Sequence, residues 1–209
     1  MTKILAVSDK EEQYIYRAVG SAKFKDIDFI ISCGDLPYYY LEYIVSMANK
    51  DLYYVRGNHA HKVEVGDNRK SANPQGAIDL HSKSLITTNG ISLAGIEGSL
   101  LYNYGPHQYT QLEMWLMVFR LIPSLFINYL RTGRFLDILV THAPPWHIND
   151  QADLPHQGIK AFRWLLDVFK PRYHLHGHTY NFLKNERMIT RYKETDVINV
   201  TGYHVIEFD

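Results

Sequence analysis

Five short apolar runs, each stopped by a small or polar turn, constrain this chain more than any other feature. Residues 3–7 (KILAV) break at Ser8-Asp9, 28–32 (DFIIS) at Gly34-Asp35, and 52–55 (LYYV) at Gly57-Asn58-His59. Residues 137–140 (DILV) break at Thr141-His142, and 173–176 (YHLH) at Gly177-His178. Apolar runs of strand length bounded by turn residues read as strands buried on both faces. Helical-length stretches at 11–20 and 39–49 separate the first three, the pattern of α/β units.

The remaining segments extend that reading. Asn89-Gly90 between 84–87 and 91–94 is a hairpin signal. Residues 188–192 and 197–200 read as a second hairpin, and 203–208 as a closing strand. Residues 108–131 read as an apolar helix pair kinked or split at Pro123. A polar loop, 150–156, precedes a helix at 158–169. No linker or repeat divides the 209 residues, so the expectation is one domain over 1–209.

Asp9, Asp35, Asn58, His59, His142 and His178 share one address, just past the C-terminal end of a strand, where open α/β sheets bind ligands. Singly, such residues cap helices or shape turns. Together they offer carboxylate, amide and imidazole donors, a set suited to Mn, Fe or Zn. A carboxylate such as Asp35 can bridge two ions about 3.5–4 Å apart.

Charge and composition narrow the function. Lys+Arg and Asp+Glu each number 22, so no net positive field draws a nucleic-acid backbone, and none is expected as a partner. The single cysteine, Cys33, forbids an internal disulfide and suits the cytoplasm. The N-terminal apolar run is too short for a secretory signal. The apolar stretch 114–127, broken by Arg120 and Pro123, is too short to span a bilayer. Trp115, Met117, Phe119 and Phe126 cannot all face one core, so the 112–130 region is expected to form a homodimer interface or a hydrophobic cap.

The series Asp9, Gly34-Asp35, Gly57-Asn58-His59, His142 and Gly177-His178 resembles the calcineurin-like metallophosphoesterases over residues 1–180, nearly the whole chain. CGDLPYYYLEY, YNYGPHQYTQLEM and ILVTHAPP are similar to a bacterial, cytosolic branch of that family. The resemblance implies an α/β fold of two sheets flanked by helices. It also implies two divalent or mixed-valence metal ions and hydrolysis of a small phosphorylated substrate. Asp35 would bridge, Asn58, His142 and His178 would complete the second metal site, and His59 would protonate the leaving alkoxide or hold the phosphate. Asp9 would belong to the first site.

Three positions depart from the family pattern. Glu11 stands where a histidine is expected, Ala60 where an acid follows GNH, and Tyr180 where the last histidine of GHxH would be. Gly34-Asp35-Leu36-Pro37-Tyr38 resembles the GDxxY of purple acid phosphatases, which implies Tyr38 as a phenolate ligand of ferric iron, with Tyr180 or Glu11 as a further donor. A catalytically impaired scaffold kept for protein contacts is the rival expectation. His156, in the loop after THAPP, and Asn103 are the expected substrate-binding residues. Of His174 and His176, one is expected to face the core.

Overall fold

The structure is a computed structural model whose described residues are 1–59, 64–66, 69–71, 73–179 and 189–208. Tyr180 lies outside them, as do Ala60, His61 and Lys62. Four parallel strands form most of the first sheet: β1 (Thr2–Ser8), β2 (Phe29–Ser32), β3 (Leu52–Tyr54) and β4 (Ala77–Asp79). Six more follow: β5 (Lys83–Ile86), β6 (Ser92–Ile96), β7 (Ile138–Thr141), β8 (Tyr173–His176), β9 (Ile189–Tyr192) and β10 (Thr195–Asn199). The last, β11 (Gly202–Phe208), returns to the first sheet.

The two large sheets among the described residues have the orders β11-β1-β2-β3-β4 and β9-β10-β8-β7-β6-β5. Each has a parallel centre and antiparallel pairing only at an edge, through β11 in the first sheet and through β9 and β5 in the second. The parallel centre brings the C-terminal ends of β1, β2 and β3 to one side of the first sheet. Those of β7 and β8 come together in the second.

Alternation along the strands builds the layers. Ile4 and Ala6 pack between the sheets with Phe29, Ile31, Ile138, Val140, Leu175 and Ile198. Leu5 and Val7 face the other way, against Ile15 of α1 (Gln13–Ala18) and Tyr40, Leu41 and Ile44 of α2 (Tyr38–Ala48). Across the sandwich, Ala94, Ile96, Leu139 and Val197 meet Met114, Val118, Leu121 and Leu125 of α3 (Gln111–Thr132). Phe162, Leu165 and Phe169 of α4 (Lys160–Phe169) complete that cluster. The result is the expected helix–sheet–sheet–helix arrangement.

Two expectations are corrected. Residues 108–131 hold one helix, not a pair, and α3 runs through Pro123. A proline inside a helix costs roughly 3 kcal/mol, yet the buried face of α3 is continuous on both sides of it. A capping box fixes the start: Thr110 Oγ1 accepts from the Glu113 amide at 3.3 Å, and Glu113 accepts from the Thr110 amide at 2.7 Å. Left-handed Gly133 closes the end. The second correction concerns β8, where His174 and His176 are both buried, because an interior strand is covered on both faces. His174 Nε2 bonds Thr141 Oγ1 at 2.7 Å and His176 Nε2 bonds Asn149 Nδ2 at 3.1 Å. Burial lowers both pKa values, that of His176 to about 4, so both rings are neutral structural groups.

A buried polar cluster anchors the loop after β6. Glu97 accepts from Arg56 at 3.0 Å, from His107 Nδ1 at 2.9 Å and from the Tyr109 hydroxyl at 2.6 Å. Arg56 also pairs with Asp79 at 2.9 Å. Burial alone would raise the Glu97 pKa, but bonds from His107 and Tyr109 and the charges around it hold it down at about 2.

Candidate metal centre

The residues past β1, β2, β3, β7 and β8 are stitched into a closed circuit of hydrogen bonds. The Asp9 amide donates to the Gly34 carbonyl at 3.1 Å, and the His59 amide donates to Asp35 Oδ1 at 2.9 Å. Asn58 Oδ1 meets His142 Nε2 at 3.0 Å, and the Gly177 amide donates to the His142 carbonyl at 3.0 Å. The His178 amide then returns to the Asp9 carboxylate, 3.0 and 3.1 Å from its two oxygens.

The circuit demands unusual backbone. Asp9, Asp35 and His178 have φ of 61°, 53° and 69°. This left-handed region costs an ordinary side chain roughly 1–2 kcal/mol, and such strain gathers at functional sites. Two glycines provide clearance. A Cβ on Gly57 would land on the Asp35 carboxylate, and one on Gly177 on the Asp9 carboxylate and the Ser8 hydroxyl.

Each imidazole has one nitrogen fixed by a carbonyl. His142 Nδ1 donates to the Cys33 carbonyl at 2.8 Å, which turns Nε2 toward Asp35 Oδ2 at 3.1 Å and Asn58 Oδ1. His178 Nε2 donates to the Pro155 carbonyl at 2.7 Å, which leaves Nδ1 as the nitrogen that could ligate. Donor atoms of Asp35, His142 and His178 lie within 4.8 Å of one another. This orientation by a backbone carbonyl is the habitual support of a metal-ligating histidine.

The electrostatics favour positive charge beside Asp35. Burial alone would raise the Asp35 pKa, but His142 and His59 hold it far below the carboxylate range. Burial works against a charged His142, yet Asp35 and Asp9 raise its pKa to about 9. A proton on Nε2 therefore stands where three lone-pair atoms converge. Burial takes His178 the other way, to about 3, so its ring is neutral and able to offer a lone pair. The residues present fit a divalent ion.

The flanking residues are placed as follows. His59 is largely exposed, with 73% of its side chain accessible, and its Nδ1 lies 2.9 Å from Asp35 Oδ2. The Asp35 hydrogen bond raises its pKa. Burial raises that of Asp9. Glu11 is exposed and accepts from the Tyr39 hydroxyl at 2.7 Å. Tyr38 is buried as the first residue of α2, near enough to Tyr54 for a charge on one phenol to oppose a charge on the other. The His156 ring stands 5.2 Å from that of His178, its Nδ1 2.5 Å from Asp153. Asn103 closes its own loop, accepting from the Gly105 amide at 3.1 Å and Gln108 Nε2 at 2.7 Å.

Three contributors carried no usable signal in the sequence. The carbonyls of Cys33 and Pro155 are backbone groups, which any residue supplies. Tyr102 accepts from Asn58 Nδ2 at 3.0 Å and fixes that amide, so that its oxygen faces His142. Its segment, YNYGPHQYTQLEM, carries a family resemblance that assigns Tyr102 no role.

The calcineurin-like phosphoesterase model matches residues 3–182. The crystal structure of TT1561 from Thermus thermophilus is similar, with a TM-score of 0.66 at 18% identity over 96% of this chain and 89% of that one. Further matches are GAP50, the anchor in the inner membrane complex of Plasmodium, and a single mutant of Vps29 from Entamoeba histolytica. Both have a TM-score of 0.49, at 13% and 9% identity; they cover 96% and 100% of this chain and 71% and 87% of theirs. No curated protein matches the sequence. With the strand-end motifs in place and the family's model spanning most of its length, the chain belongs to the calcineurin-like phosphoesterases.

Proposed function

We propose that the protein hydrolyses a phosphate mono- or diester of a small molecule at this centre, using one or two ions of Mn, Fe or Zn. The observation that carries this reading is the convergence of Asp35 Oδ2, Asn58 Oδ1 and His142 Nε2. Asp35, Asn58, His142 and His178 would hold one ion, and Asp9 with Asp35 a second. When bound, the metal would polarise a phosphoryl oxygen and activate water near neutral pH. His59, exposed and held by Asp35, would donate its proton to the leaving alkoxide. His156, beside His178 at the rim, would hydrogen-bond a phosphate oxygen, and Asn103 is a second candidate for that contact.

One observation favours a second reading, a scaffold with an impaired first site. Glu11, at the position of a family histidine, is spent on the Tyr39 hydroxyl. The deciding experiment pairs elemental analysis of chelator-free protein with turnover of p-nitrophenyl phosphate and its bis ester under Mn, Zn and Fe. At least one ion per chain and turnover with one metal are expected. Bound metal without turnover would favour the scaffold, and a chain that binds no metal would overturn both metal assignments.

A further inference from the structure

Helix α3 is apolar on two opposite faces. One face, with Met114, Val118, Leu121 and Leu125, packs in the core. The other carries Leu112, Leu116, Phe119, Phe126, Ile127 and Leu130, all exposed, Leu112 to 69% and Leu130 to 84%. At 100° per residue these six and Pro123 fall in one stripe, and no polar residue lies within it. They present on the order of 700 Å² of carbon surface, beyond the few hundred Å² an ordinary monomer leaves in one patch. That is close to the ~800 Å² each partner contributes to a standard interface.

The stripe is nearly symmetric along the helix about Ile122. Leu112 mirrors Leu130 to within two residues, and Leu116 mirrors Ile127 and Phe119 mirrors Phe126 to within one. The flanking charges obey the same mirror with opposite sign. Glu113 and Arg131 lie on one flank, at equal distances from Ile122. Arg120, on that flank, lies level with Ser124 of the second copy and about 6 Å along the axis from that copy's Arg120. An antiparallel helix pair with its two-fold axis at Ile122 would thus set each Glu113 against Arg131 of the second copy. It would also place each helix N-terminus beside a C-terminus, the favourable dipole arrangement.

We propose that α3 is the seam of an isologous homodimer, two copies packed antiparallel through this stripe. The register is specific: Leu112 meets Leu130 of the second copy, Leu116 meets Ile127, and Phe119 meets Phe126. Gln111, at the start of α3, bonds the Gly158 carbonyl and the Lys160 amide, both at 3.1 Å. The seam therefore abuts the loop that supplies the Pro155 carbonyl to His178.

Light scattering on the full chain at about 50 µM tests the seam, and it should give a dimer mass. Leu116→Glu and Leu130→Glu, whose side chains are exposed, should give folded monomers with unchanged circular dichroism. Oxidative cross-linking tests the register. Mixed Leu112→Cys and Leu130→Cys proteins should form a heterodimeric disulfide, while neither cross-links alone. A monomeric wild type overturns the proposal, including one that sediments with phosphatidylcholine vesicles and so marks the stripe as a membrane surface. A dimer that survives both glutamate variants, or one whose Leu112→Cys protein cross-links to itself, overturns it as well.

Discussion

His178 donates its Nε2 proton to the carbonyl of Pro155 across 2.7 Å, whereas His142 spends its Nδ1 proton on Cys33. The two rings thus offer opposite nitrogens to the same space. An asparagine amide reproduces the position of Nδ1 and a glutamine amide that of Nε2. His178→Asn should therefore keep more affinity for Mn or Zn than His178→Gln, and at position 142 the order should reverse. The two variants at each site should differ by about 10–100-fold, the range that outer-shell misorientation costs. Metal titration by calorimetry reads it, and equal affinities would show the tautomers misassigned.

His59 touches Asp35 but is exposed and outside the donor cluster. His59→Ala should lower phosphoester turnover by about 10²–10⁴ and leave metal content near normal. A parallel loss of metal would place His59 among the ligands.

Gly57→Ala should behave as a defect of Asp35, although Asp35 itself is untouched, because the new methyl would occupy the carboxylate's place. Metal loading should fall as it does in Asp35→Ala. Normal loading in the glycine variant would mean the Asp35 side chain has room to move.

Glu97 has an ordinary pKa of 4.5 when exposed and about 2 in the fold. Its folded value is depressed, so its contribution is complete above pH ~4.5 and drains away as pH falls toward 2, about 3 kcal/mol in all. Urea midpoints of the wild type should drop across that window. Glu97→Gln should be less stable at pH 7, by about 3–5 kcal/mol, since Arg56 loses a buried partner. Its midpoint should also depend less on acid.

Tyr38 separates two versions of the first metal site. If its phenolate binds ferric iron, the iron-loaded protein absorbs visible light and Tyr38→Phe bleaches it. Colourless iron-loaded protein would leave Tyr38 as a packing residue. Tyr180→His would then add a second Mn or Zn per chain.

The sequence was most legible where side chains do the work. All five strand ends were visible as apolar runs meeting Gly, Asp, Asn or His, because buried strands and tight turns both leave compositional marks. The carbonyls that orient His142 and His178 leave none. Arg56 and Glu97 were equally silent, since a lone charge in each of two loops reads as a solvated turn until the fold brings them together. Pro123 misled for a related reason. Its local penalty is plain in sequence, whereas the core contacts that outweigh it come from strands far away in the chain.

The circuit of hydrogen bonds joining Asp9, Gly34, His59, His142 and His178 spans both sheets at one end of the sandwich. Apolar packing such as that of the cluster holding Ile31 and Val140 is non-directional and tolerates sliding of one sheet over the other. Hydrogen bonds of fixed length do not. The same groups that would hold a metal under the proposed function therefore pin the two sheets in register, as a clasp does. A lesion in the site should be felt as a looser alignment of the whole sandwich before it is felt as a loss of hydrophobic core.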